Sequence, residues 1–253
     1  MKTKKIIVAG SLVMEAIYPR GSSHDSPQVR AKKRKLSSEA QQRMNAKNSW
    51  QKLELQLAAN YRPGDLWVTV TYDDEHLPSS RKEADLRFSY FLRKLRAARG
   101  KRSAPVVHWN AEHKHEHEDR LQHRRWHHHF FLNATGDDYE QIRQCWIYGS
   151  NIEIVPLVID KDHSYEALAR YMCKESKDRP GLRTWSYTRN AKHPETETFP
   201  VPDDTPLQPP KGSTVYEEAS ERTEYGSYRY VKYLAPNWRS GKRRPHAARR
   251  RKH

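Results

Sequence analysis

The run "RRWHHHFFLN" (residues 124–133) restricts the possible fold more than any other part of the chain. Burying an imidazole is costly unless it is hydrogen-bonded or bound to a metal. Three in succession, inside an apolar and β-favouring segment, need a structure that gives each one a partner. Extended backbone does this most simply, because alternate side chains leave opposite faces of a strand. His127 and His129 then share a face, about 7 Å apart, and His128 points the other way. Two imidazoles so placed can hold one cation between them. Eight of the fourteen histidines lie between His108 and His129, so the concentration is local.

The flanking segments predict the rest of the sheet. "DLWVTVTY" (65–72) alternates bulky and polar residues and predicts a strand with one wet face. "SAPVVHWNAE" (103–112), "RWHHHFFLN" (125–133) and "NIEIVPLVI" (151–159) predict three more. A helix is predicted from Ser37 or Ser38 through Met44, Trp50, Leu53 and Leu57, stopping at Pro63-Gly64. A second spans Arg81–Arg99, with Ala84, Phe88, Phe91, Leu92 and Leu95 as its inner face and Gly100 at its end. Asp137 and Asp138 can cap a third, carrying Tyr139, Ile142, Cys145 and Trp146, with Gly149 just past it. Ser164 caps a fourth, with Glu166 in its first turn. Two strands follow one another with no helix between them, which favours antiparallel pairing. The predicted class is α+β, a central antiparallel sheet flanked by helices.

Residues 1–36 are expected to hold a short strand (Ile6–Ala9) and a basic arm ending in "RAKKRK". Residues 37–177 make the main domain. Residues 178–236 form a Pro-rich loop and C-terminal extension, because seven prolines fall between Pro180 and Pro210. A short ordered piece is expected around "YGSYRYVKYLAP" (225–236), and the basic tail, 237–253, is expected to be disordered.

The net charge of +16 points to a polyanionic partner, of which nucleic acid is the commonest. The two cysteines, Cys145 and Cys173, fit a reducing compartment without a disulfide framework. The opening "MKTKKIIVAGSLVMEAIYP" looks like a leader, but its apolar stretch soon meets Glu15 and no small-residue cleavage site follows. No segment approaches membrane-spanning length, so a cytoplasmic protein is expected.

If strands 103–112 and 125–133 pair, Glu112 reaches the face of His127 and His129. A carboxylate beside imidazoles moves metal preference from zinc or copper towards magnesium or manganese. The same residues also fit a structural zinc site or a solvated edge strand. The loop histidines His113, His115, His117 and His123 offer alternative ligands, although a polar loop preorganises them poorly and a solvated or DNA-facing run suits them better. On the helix "SYEALARYMCKES", Tyr171 and Lys174 are three residues apart and share a face. Arg183, Trp185, Tyr187 and Arg189 alternate along "LRTWSYTRN", a pattern that suits a groove for single-stranded DNA and equally a loop packed on the sheet.

An H-x-H strand followed some forty residues later by Y-x-x-K on a helix resembles the HUH endonuclease superfamily. More narrowly, the chain resembles single-tyrosine rolling-circle replication initiators of small phages and plasmid-like elements. "VTVTYDDEHLP" (68–78) is similar to their first motif, "RRWHHHFFLN" to their second and "LARYMCKES" to their third, in that order. The central position of the second motif is usually hydrophobic and here is His128. The resemblance implies that Tyr171 attacks a DNA phosphodiester and that Lys174 assists by binding phosphate or stabilising the phenolate. It implies that Glu112, His127 and His129 hold Mg²⁺ or Mn²⁺, and that Thr71 and Tyr72 contact DNA beside Arg183, Trp185 and Arg189. The implied partners are single-stranded or origin DNA, with a host helicase and polymerase. A G-x-x-x-x-G-K-[ST] phosphate loop is absent from the chain, so no helicase is expected within it. Two alternatives remain: a nucleic-acid-binding protein with structural zinc, and a relaxase-like mobilisation protein.

Overall fold

The computed structural model describes residues 1–19, 39–100, 104–114, 125–158, 164–174, 183–223 and 226–236. Along the chain run β1 (Lys2–Ala9), β2 (Leu12–Pro19), α1 (Glu39–Asn60), β3 (Leu66–Thr71), α2 (Arg81–Arg99), β4 (Val107–Lys114) and β5 (Arg125–Leu132). There follow α3 (Asp138–Cys145), β6 (Ile152–Pro156), α4 (Glu166–Met172), β7 (Ser186–Tyr187), β8 (Glu195–Val201), β9 (Thr214–Thr223) and β10 (Gly226–Leu234). The class is α+β, as expected, but with two antiparallel sheets of five strands where one was expected. The chain divides into two units, one of Gln42–Ala191 and the other of Met1–Gln41 with Lys192–His253.

In the Gln42–Ala191 unit the strand order is β6-β3-β5-β4-β7. Its sheet is buried on one face against α2 and α3, through Val68, Val70, Phe130, Phe88, Phe91, Leu95 and Ile142. On the other face Phe131 packs with Trp50, Leu53 and Leu57 of α1 and with Ala169 and Met172 of α4. Helix α2 begins at Ser80, whose hydroxyl accepts from the Glu83 amide, and buries all five residues of its predicted inner face. It buries Arg99 as well, which the apolar pattern could not reveal. Arg99 forms an ion pair with Asp138 and donates to Gln141 (2.8 Å) and the Asn133 carbonyl (3.1 Å). Asp138 is not the simple cap predicted: its carboxylate turns back to accept from the amides of Thr135 (2.8 Å) and Gly136 (2.9 Å). Gly149 lies beyond the end of α3 and serves close approach, since a Cβ there would stand 2.1 Å from the Thr71 carbonyl oxygen.

The other unit corrects the reading of both chain ends. Its sheet has the order β8-β1-β2-β10-β9. The apolar leader-like stretch is a hairpin in which Ala9 pairs with Leu12 across Gly10-Ser11. Gly10 takes φ 59°, a left-handed value that glycine adopts without strain. The Pro-rich segment is not a mere linker: it supplies β8, which pairs along β1 and carries Pro200 on a sheet edge, where a missing amide is tolerated. Val13, Val231, Tyr233 and Ala235 form the core, with Ile6, Val8 and Leu207 against it. Among them Glu15 is buried, 2.7 Å from the Lys4 ammonium and accepting from the Tyr233 hydroxyl at 2.5 Å. The predicted boundary at Lys177 moves to Ala191, because β7 pairs with β4 and belongs to the first sheet described. The basic arm, loop positions 115–124 and the tail lie outside the described residues. No helix among the described residues is long and apolar enough to cross a membrane.

Candidate metal centre

The register of three strands builds the site. Antiparallel pairing sets Glu112 opposite His127 and Asn110 opposite His129. On the other side of β5, Thr71 faces His127, Thr69 faces His129 and Trp67 faces Phe131. Directly opposed residues share a face. One face therefore carries Glu112, His127, His129, Thr69 and Thr71 in adjoining rows. His128 emerges on the α2 face, where its Nε2 lies 2.9 Å from the Tyr72 hydroxyl and its ring stacks on Phe88 at 4.5 Å.

The three expected ligands converge. The Nε2 atoms of His127 and His129 are 3.1 Å apart, and Glu112 Oε2 stands 3.6 Å and 3.2 Å from them. All three residues are buried, and one ligand atom from each lies within 4.8 Å of the others. Glu112 Oε2 is buried without a hydrogen bond. Two imidazole nitrogens this close need a proton or a cation between them, and an unbonded carboxylate oxygen beside them adds a third donor. The set fits a divalent ion.

The electrostatics agree. Burial alone would raise the Glu112 pKa, but the adjacent His127, His129 and Lys174 outweigh it and hold the carboxyl well below the ordinary range. Burial lowers the pKa of His129 against the opposing pull of Glu112, which favours the neutral form that binds metal. His128 is lowered to about 3, first by burial and then by repulsion from His127, so it lines the core as a neutral group.

Helix α4 brings Tyr171 and Lys174 to the same face. The Tyr171 ring lies 5.3 Å from that of His129 and 6.2 Å from that of Trp67, and its side is open to solvent at 42 % exposure. The Lys174 ammonium contacts Glu112 Oε1 and sits 4.0 Å from the centre of the Tyr171 ring. Burial would lower the Lys174 pKa, yet Glu112, aided by Tyr171, raises it above its ordinary value. Asn110, two residues before Glu112 on the same face, fixes the end of α4 by donating to the Met172 carbonyl at 3.1 Å.

The expected DNA contacts divide. Thr71 is half-buried on the site's face, and Arg183 and Arg189 are exposed. Tyr72 is a correction: it is fully buried on the opposite face, with its hydroxyl donating to the Ala84 carbonyl, so it offers nothing to DNA. The alternation of β3 separates it from Thr71. Trp185 is half-buried against the core under α1, its indole nitrogen donating to Ser49 at 3.3 Å. Trp67, Thr69 and Asn110 were not singled out from sequence. Alternation about Thr71 and Glu112 was the available signal, and it required the strand register. No known protein family, curated protein or solved structure matches the chain.

Proposed function

We propose that the chain is a metal-dependent DNA nicking–joining endonuclease of the rolling-circle initiator kind. The observation that carries the reading is the placement of an exposed tyrosine against a buried Glu/His/His donor set, with Lys174 touching both. Tyr171 Oη attacks the phosphorus of a single-stranded DNA phosphodiester, and the bond from phosphorus to the 3′ oxygen breaks. One proton leaves the phenol and one joins the departing oxygen. The products are a 5′-phosphotyrosine and a free 3′-OH, which primes synthesis by host polymerase and helicase. The linkage conserves the energy of the broken bond, so a second 3′-OH can displace Tyr171 and rejoin strands without ATP. Lys174 stays charged beside Glu112 and stabilises the phenolate or the phosphate. Glu112, His127 and His129 would hold a divalent ion, Mg²⁺ or Mn²⁺ in this reading, which would supply positive charge to the scissile phosphate. A purely structural zinc site is supported less, because structural zinc takes four protein donors and three converge among the described residues.

The test is incubation with single-stranded oligonucleotides and Mn²⁺, followed by mapping of the linked residue by mass spectrometry. The adduct is expected on Tyr171, and Tyr171→Phe should abolish it while oligonucleotide binding persists. Adducts formed undiminished by Tyr171→Phe would remove Tyr171 as the nucleophile.

A further inference from the structure

We propose that Thr69 is a positioning residue that fixes His129 as a ligand through its Nε2 atom. This rests on the metal-site reading above. Thr69 Oγ1 lies 2.9 Å from His129 Nδ1, across the β3–β5 pair. A neutral imidazole has one N–H and one lone pair. Nε2 is the atom that faces Glu112 Oε2 and His127, so a cation held among them takes its lone pair and leaves Nδ1 carrying the hydrogen. The Thr69 hydroxyl then accepts that hydrogen. Trp67, two residues earlier on the same face, lies against the His129 ring at 5.1 Å and only 14° from parallel. Stacking holds the ring plane, and the hydroxyl selects which edge of the ring meets the cation. A flipped ring would turn Cδ2 towards Thr69, losing the bond, and would aim carbon at the donor set. The repeat Thr69-x-Thr71 thus runs in register with His127-x-His129, and its first threonine acts on the metal through a histidine.

Partners of this kind typically alter metal affinity about 10- to 100-fold when removed. Thr69→Val keeps the shape and deletes the acceptor; Thr69→Ser keeps the acceptor. Mn²⁺ titration of the full chain by electron paramagnetic resonance should show affinity reduced about 10- to 100-fold by Thr69→Val and recovered to within a few fold by Thr69→Ser. Long-range ¹H–¹⁵N correlation with diamagnetic Mg²⁺ bound should report an Nδ1–H tautomer for His129 that Thr69→Val disturbs. Wild-type affinity in Thr69→Val, or a Thr69→Ser as weak as the valine variant, overturns the assignment to Thr69 alone. A wild-type chain that binds no Mn²⁺ overturns the metal site, and Thr69's role with it.

Discussion

Each unit buries one glutamate beside a lysine on a sheet, and the two arrangements differ in what is left over. In the unit formed by the chain ends, Glu15 gives one oxygen to the Lys4 ammonium and accepts the Tyr233 hydroxyl on the other. Its Oε2 makes no formal hydrogen bond, but the ammonium 2.7 Å away matches its charge, and the pair is closed. In the Gln42–Ala191 unit, Glu112 gives one oxygen to Lys174 and aims the other, unbonded, at two imidazole nitrogens. Burial and a lysine partner are common to both. What marks the candidate site is convergence: two imidazole nitrogens meet the second oxygen of Glu112, whereas a single ammonium meets that of Glu15.

The largest expected effect separates the two carboxylates directly. Glu112→Gln should weaken Mn²⁺ binding beyond the roughly 100-fold typical of outer partners, since it removes a ligand. Glu15→Gln should leave that affinity within about twofold, as carboxylates that share no partner act independently. Calorimetric titration of both variants checks the contrast, and equal losses would break it. The lysines come next. Lys174→Met should slow adduct formation about 10²- to 10³-fold, the scale of one lost transition-state donor. Lys4→Met should leave the rate alone and lower stability by about 1–3 kcal/mol, because it strands a buried carboxylate. Single-turnover kinetics and urea unfolding distinguish the two.

A smaller effect sharpens the comparison with a third carboxylate. Asp138 is closed like Glu15, bonded to Arg99 and to two backbone amides. Burial alone would raise its pKa, but those bonds bring it below the ordinary value. The stabilisation is therefore complete above the unfolded pKa of about 3.9 and is lost as pH falls through the lower, folded value. Asp138→Asn should flatten this acid limb of the urea midpoint without changing Mn²⁺ affinity at neutral pH.

Local patterns carried much of this fold. The inner face of α2 and the alternation of β3 follow from periods of 3.6 and 2, which each segment displays by itself. The Glu112, His127 and His129 cluster was legible because alternation and one hairpin pairing suffice to assemble it. Trp67 and Thr69 were not, since β3 reaches His129 only through a pairing some sixty residues distant. Tyr72 was misread because an aromatic next to a threonine in a motif says nothing about which face it occupies. The β1–β2 hairpin had a local signal in Gly10-Ser11 between apolar runs, of which only the first, as a short strand over Ile6–Ala9, was read. Its pairing with β8 and β10 had none, since the partners lie some 190 to 220 residues away.

That last pairing sets an order of events during synthesis. β2 is flanked by β1 on one side and by β10 on the other, so its sheet lacks an interior neighbour until Leu234 has left the ribosome. The uninterrupted stretch from Gln42 to Ala191 emerges whole well before then. Sequence order alone lets the middle assemble first, whereas the sheet of the chain ends can be completed only after β9 and β10 are made.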